Sequence, residues 1–269
     1  IGGGTDNDSD TYQLGGVYRW NTGSTGVSLT FIDSTTANVP SAYWRRTNIP
    51  AISLYILNKF GKLYIGEEFG MVHGGKYLEW NPTLGGNYPF IDVKNSYAFS
   101  NAFNVEIDLA PARVGLWWIV SRGDDPDTPD KKEGGYRGVL DLDRSFNPCL
   151  ILFNEDYMQW IGGGTGGAQN WGGLVGNATS TSSSAAANYL TTYVQNVWLY
   201  QIYGDFKVSP KLNLGASFTY AYAYEKPTDT GRPTSTGAKR FLSDKYGYEA
   251  DLTLKYKIYD NLEYMIGAA

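Results

Sequence analysis

Strict alternation of apolar and polar side chains over two long segments constrains this chain more than any other feature. From Lys211 to Glu225 the even positions are Leu212, Leu214, Ala216, Phe218, Tyr220, Tyr222 and Tyr224, and the odd ones are Lys211, Asn213, Gly215, Ser217, Thr219, Ala221, Ala223 and Glu225. From Tyr246 to Tyr259 the even row is Tyr246, Tyr248, Ala250, Leu252, Leu254, Tyr256 and Ile258, set against Gly247, Glu249, Asp251, Thr253, Lys255, Lys257 and Tyr259. Period two held over about fifteen residues is the mark of a β-strand with one greasy and one polar face.

Weaker copies run through the rest. Phe103, Val105, Ile107 and Leu109 alternate with Asn104, Glu106 and Asp108, and Val194, Trp198, Tyr200, Ile202 and Phe206 share a face. Further strands are expected at Tyr12 to Trp20, Val27 to Asp33, Ala51 to Lys59, Lys62 to Phe69, Arg113 to Arg122 and Leu262 to Ala269, about ten in all with no long helix. The connections alternate in length. Tight joints fall near Asn21 to Ser24, Phe60-Gly61, Ala110-Pro111-Ala112, Val208-Ser209-Pro210 and Asp260-Asn261. Between them lie long Gly/Ser/Asp/Pro-rich stretches: Ser34 to Pro50, Gly70 to Ser100, Gly123 to Tyr189 and Lys226 to Lys245. Short turns at one end and long loops at the other predict an all-β, up-and-down antiparallel barrel spanning a membrane. Residues 1–269 are read as one barrel domain, with 123–189 as an extracellular or mouth-inserted loop region. Within it, Cys149 to Phe153 and Tyr157 to Ile161 read as loop elements folded over or into the mouth, or as two further wall strands.

A one-sided strand is also ordinary in a water-soluble sandwich. Three features tilt the choice. The best strands run about 12 to 15 residues, against about 5 to 6 in a typical globular sheet, whereas a tilted membrane strand needs about 9 to 11 in the hydrocarbon alone. Tyrosines sit near the ends of the apolar rows, at Tyr220, Tyr222, Tyr224, Tyr246, Tyr248 and Tyr256, where a ring can lie in lipid and its hydroxyl among headgroups. Full charges occupy mid-strand polar positions at Glu249, Asp251 and Lys255; they need water or partners, which a wet lumen supplies. Open strand edges in hydrocarbon leave costly unpaired backbone groups, so the sheet must close. Because the sequence stops at Met265-Ile266-Gly267-Ala268-Ala269, the expectation is a truncated part of a larger barrel.

Composition narrows the field. With Lys+Arg 22 against Asp+Glu 27 and a net charge of −5, there is no basic excess for a nucleic-acid backbone. One cysteine, Cys149, and one histidine, His73, supply neither an internal disulfide nor a Cys/His zinc site, and severely limit nucleophile–histidine catalysis. The longest apolar run, Val114 to Val120, is far short of the roughly 20 residues of a spanning helix. The chain begins at Ile1 with no starting Met and no signal-peptide pattern, which suggests a mature or incomplete chain.

Local motifs are weak. Asp124, Asp125, Asp127 and Asp130 in GDDPDTPDKKEGG could offer oxygens to Ca²⁺, but Pro126 and Pro129 interrupt the spacing and Lys131 and Lys132 offset the charge; a solvated loop with no resident cofactor is the better expectation. Asp6, Asp8 and Asp10 read likewise. GGGTGG at Gly162 to Gly167 lacks the GK[ST] of a phosphate loop, and Ser180 to Ala187 is low-complexity linker. Glu106 with Asp108, and Glu249 with Asp251, share a strand face at i, i+2 and could serve a glycosidase. Nothing singles out one pair, so alternation with Lys255, Lys257, Lys211 and Arg113 favours a transverse lumen field. Trp117 and Trp118 must face opposite sides: Trp118 suits lipid, and Trp117 either lines a pore as a sugar platform or packs beneath a loop.

The segments NLGASFTYAYAYEKP, DKYGYEADLTLKYKIYDNLEYMIGAA and DNDSDTYQLGGVYRW resemble outer-membrane porin-like proteins of Gram-negative bacteria, including the alginate-export-like group. The resemblance is clearest over Lys211 to Ala269 and rests on strand style. It implies a non-enzymatic channel in the cell outer membrane, in contact with lipid and lipopolysaccharide, passing small hydrophilic solutes, in the homotrimer common among porins. The pore-lining candidates from the polar rows are Glu106, Asp108, Arg113, Lys211, Asn213, Ser217, Thr219, Glu249, Asp251, Thr253, Lys255 and Lys257. Two other expectations stand beside it: a secreted carbohydrate-binding or carbohydrate-cleaving β-sandwich, and a plugged barrel that anchors a partner.

Overall fold

The computed structural model describes residues 8–38, 43–80, 90–123, 125, 131–133, 148–153, 196–225, 228–229, 240–241 and 244–269. Among them there are strands and turns and no helix. In chain order the strands are β1 (Asp8–Trp20), β2 (Gly23–Asn38), β3 (Tyr43–Phe60), β4 (Leu63–Val72), β5 (Lys76–Trp80), β6 (Phe90–Asn95), β7 (Ala98–Leu109), β8 (Ala112–Ser121), β9 (Lys131–Lys132), β10 (Val197–Ser209), β11 (Leu212–Ala223), β12 (Thr228–Asp229), β13 (Arg240–Phe241), β14 (Lys245–Tyr259) and β15 (Leu262–Ala268).

Ten of these, β1, β2, β3, β4, β7, β8, β10, β11, β14 and β15, form an antiparallel up-and-down sheet in which each strand pairs with the next. Among the described residues the sheet is not closed: β1 pairs only with β2, and β15 only with β14. Strand lengths reach 18 residues in β3, 16 in β2 and 15 in β14, several times the ordinary globular strand of about 5 to 6. Every tight joint expected from the sequence is a turn, centred on Asn21-Thr22, Gly61-Lys62, Ala110-Pro111, Pro210-Lys211 and Asp260-Asn261. Gly61 takes a φ of +60° there, a conformation that costs glycine little.

Two of the long connections hold more strand than the sequence suggests. The stretch read as a loop from Ser34 to Pro50 is mostly ladder, paired from Thr30↔Ala51 out to Asn38↔Tyr43. Its Thr, Tyr and Trp content favours a pleated backbone, and Pro50 is accommodated within it. Pro50 lies where β3 leaves β4, after Ala51↔Val72, and turns to β5 at Asn48↔Lys76, so its missing N–H falls at a change of partner. Gly70 to Ser100 likewise contains the β5–β6 hairpin.

Register places each apolar row beside the next, and the burial is the reverse of that in a water-soluble sheet. On the apolar face Ile202 is 55% exposed, Phe218 48% and Leu252 65%, whereas on the polar face Thr219 is 0%, Gln201 5% and Asp251 5% exposed. Ile202, Phe218 and Ala250 lie side by side, as do Gln201, Thr219 and Glu249 one residue along. No second layer covers the apolar face among the described residues. Residues 148–153 lie instead on the polar face, where Cys149, Leu152 and Phe153 join Ala102, Ile119, Val197, Leu199 and Ala221 in the larger buried apolar cluster. Cys149 to Phe153 forms bends and turns packed on the polar face, not a wall strand. Tyr157 to Ile161 lies outside the described residues.

Candidate functional site

The polar face organises itself around two sets of contacts. The first spans β7, β8, β10 and β11 near the tight turns. Arg113 extends one guanidinium nitrogen to Glu106 (3.3 Å) and the other to Asp205 (2.8 Å). Tyr203 donates its hydroxyl to Glu106 (2.8 Å) and accepts from Asn104 (2.9 Å); Asn213 reaches Asp205 at 3.3 Å. The Tyr203 ring crosses β8 directly over Gly115, where any Cβ would collide with it. A glycine beneath a cross-strand aromatic is therefore required at that point. These bonds fix polar side chains whose strand partners are themselves in register, such as Asp108↔Arg113 and Arg113↔Asp205.

The second set seats residues 148–153. The Glu249 carboxyl group accepts the backbone N–H of Ile151 on one oxygen (2.8 Å) and that of Leu152 on the other (2.6 Å), a two-point clamp on consecutive backbone amides. Gln201 donates to the Pro148 carbonyl and to Thr219 Oγ1, the latter at 2.9 Å. Cys149 donates its thiol to the same Thr219 oxygen at 3.3 Å, and Ser217 donates to Asp251 Oδ2 at 2.9 Å. Phe153 meets the Tyr246 ring edge-on at 5.3 Å. Leu150 extends over β15, close to Gly267. Burial, more than any neighbouring charge, pushes the Cys149 thiol up to about 12, against the opposing Thr219 hydrogen bond.

Below this seat is a cavity of about 240 Å³ bordered by Trp117, Pro148, Gln201, Tyr203, Asp205 and Thr253. Its walls combine aromatic rings with carboxylate, amide and hydroxyl groups, the mixture that suits a hydrophilic organic solute. Trp117 thus lies on the polar face beside the loop element. Trp118 is on the opposite face, stacked on Trp198 with centroids 6.1 Å apart.

The residues expected along the polar row fall as follows. Glu106, Arg113, Asn213, Ser217, Thr219, Glu249, Asp251, Thr253, Lys255 and Lys257 share one face by register. Asp108 is on that face, with its carboxylate accepting the Ala110 N–H at 3.1 Å, so it braces the turn. Lys211 lies in the turn itself and is exposed. Lys257 pairs with Asp260 at 2.9 Å near the next turn. The acidic stretch around Asp124, Asp127 and Asp130 falls outside the described residues, apart from Asp125.

Sequence reading put Asn104 in the polar row but not among the pore-lining candidates, and missed Gln201, Tyr203 and Asp205, although the odd positions of β10 display these three as a row beside the apolar positions Trp198, Tyr200, Ile202 and Phe206. It also placed Tyr246 among the outward rings. That residue faces the loop element and donates its hydroxyl to the Asn196 carbonyl at 3.1 Å. A bulge is the reason: Ala221 pairs Gly247 but Tyr222 pairs Lys245, and Gly247 has φ +115°. One extra residue in a strand reverses the face of its neighbour.

The opposite face carries a continuous aromatic band near the long connections. Trp198 stacks on Tyr224 at 5.5 Å and lies 6.4 Å from Tyr222; Phe99 meets Tyr224 at 5.7 Å, and Phe218 lies 6.2 Å from Tyr248. One polar pair interrupts it, Asn101 donating to Glu67 at 3.0 Å. Towards the tight turns a second group includes Tyr18 with Trp20 at 5.9 Å, and exposed Phe60, Phe206 and Tyr256.

No family model matches the chain, and no curated protein matches it.

Proposed function

We propose that this chain is the wall of an outer-membrane β-barrel channel for passive diffusion of small hydrophilic solutes, with residues 148–153 narrowing its lumen. The observation that carries the reading is the reversal of burial: isoleucine, leucine and phenylalanine outermost, glutamate, aspartate and threonine beneath. In water this arrangement would forgo about 25 cal/mol for each Å² of apolar surface left exposed. Against acyl chains the same surface is at home, and the polar row acquires an enclosed aqueous passage. The β-sandwich expectation needs the opposite orientation, with the apolar row against a second layer.

The dimensions agree. From Trp198 to Phe206 the strand advances about 26 Å, or about 20 Å along the membrane normal at a tilt of roughly 40°, close to the roughly 25 Å apolar band of such barrels. Rings flank that interval on both sides. Closure in the membrane requires partners for the edges of β1 and β15. Positive Arg113 and Lys255 and negative Asp205 and Asp251 lie on the polar face together, so the passage favours polar solutes without strong selection by sign.

Planar-bilayer recording from the refolded full-length protein tests the reading. Discrete, voltage-independent conductance steps are expected, and larger steps once residues 123–189 are replaced by a short linker. A well-folded protein that produces no steps with or without that segment would rule out an open pore and favour the anchoring barrel.

A further inference from the structure

One cluster on the polar face has chemistry that solute passage does not use. Cys149 Sγ, a Glu249 carboxylate oxygen and an Asp251 carboxylate oxygen lie within 4.8 Å of one another, and all three residues are buried. Asp251 is 5% exposed. Its Oδ2 accepts from Ser217, its Oδ1 meets no N–H or O–H donor, and the carboxyl group lies within hydrogen-bond reach of that of Glu249. Among the described residues no lysine or arginine forms an ion pair with Glu249 or Asp251. Two adjacent buried carboxylates with an idle acceptor oxygen are costly unless a positive charge or a proton joins them. A thiol within reach of both decides which kind of cation fits.

We propose that Cys149, Glu249 and Asp251 bind a divalent cation of the zinc class, tying residues 148–153 to β14. One sulfur and two oxygens suit Zn²⁺ or Cd²⁺; an all-oxygen shell would be expected for Ca²⁺ or Mg²⁺. On binding, the thiol proton passes to solvent and the sulfur donates its electron pair to the metal, with no redox change. Each Glu249 oxygen has a second lone pair, so it can ligate while still accepting the N–H of Ile151 or Leu152. Those bonds fix the carboxylate as an outer hydrogen-bonding shell does at protein zinc sites. Thr219, 3.3 Å from the sulfur, is positioned to turn its hydroxyl towards the thiolate. Of the three residues, Asp251 alone borders the neighbouring cavity. The site rests on this cluster alone and not on the channel reading.

The test is titration of the folded full chain with Cd²⁺ alone, followed through the near-ultraviolet thiolate-to-cadmium absorption. Cys149 is the single cysteine of residues 1–269, so a band that disappears in Cys149→Ser reports this sulfur. Saturation near one equivalent, displacement by Zn²⁺, no band in Cys149→Ser, and at least tenfold weaker binding in Asp251→Asn are expected. The strand signal in circular dichroism checks that each variant folds. If Cys149→Ser does not fold, Zn²⁺ displacement in the wild type and the Asp251→Asn affinity decide the matter. No saturable band in the folded wild type, or equal affinity in folded Asp251→Asn, would overturn the site.

Discussion

Glu249 is the residue on which the seat of the loop element turns, because its two oxygens take two consecutive backbone N–H groups. Glu249→Gln replaces one acceptor with an NH₂ that faces a donor, and should loosen the seat by about 1–3 kcal/mol. Hydrogen exchange at the Ile151 and Leu152 amides should then quicken by roughly tenfold or more, with little change at β7 and β8. Gly115 sets a steric condition of the same kind: Gly115→Val drives a side chain into Tyr203 and should lower stability by about 1–3 kcal/mol, read from the unfolding midpoint. Cys149 should be inert. With its pKa raised to about 12, the thiolate fraction at pH 8 is about one part in ten thousand, so metal-free folded protein should resist alkylation that proceeds readily after denaturation. The seat was only partly legible in sequence. Glu249, Asp251 and Thr219 stood out as polar alternants, but nothing local links them to residues 70 to 98 positions earlier in the chain.

Strand existence, the tight turns and the side of each strand were legible because period two survives wherever a strand is regular, as in β11. They failed where regularity fails. The bulge at Gly247 turns Tyr246 to the other face, and no alternation rule locates an extra residue in advance. Gly247→Ala should cost about 1–2 kcal/mol through strain at φ +115°, and should weaken the Phe153–Tyr246 contact as well. The inner apolar patch of Ile119, Val197, Leu199 and Ala221 is legible only in hindsight, as apolar residues occupying polar-row positions at the end where a loop element covers them. For the apolar face the decisive substitution is Ile202→Lys, near the middle of β10. In the proposed barrel it should destabilise folding into vesicles by about 2–4 kcal/mol. Exposed to water, the same position would tolerate lysine to within about 0.5 kcal/mol.

At the level of the whole molecule, the up-and-down order follows from the connections: tight turns force neighbouring strands to pair antiparallel. The extent of the ladders was less legible, since Ser34 to Asn38 and Tyr43 to Pro50 pair in full despite their polar and proline content. What unites residue, strand and sheet is an inverted polarity, with the ionisable and hydroxyl groups sheltered and the aliphatic and aromatic groups outermost. Single nitroxide labels in a Cys149→Ser background test that polarity most directly, placed at Ile202, Leu214 and Leu252 on one row and at Ser217 and Thr253 on the other, with the protein refolded into lipid vesicles. The first row should be relaxed chiefly by oxygen, which concentrates in acyl chains, and the second by a water-soluble nickel chelate. Equal access of the chelate to both rows, or oxygen access confined to Ser217 and Thr253, would contradict the membrane-facing assignment of the apolar row and the channel with it.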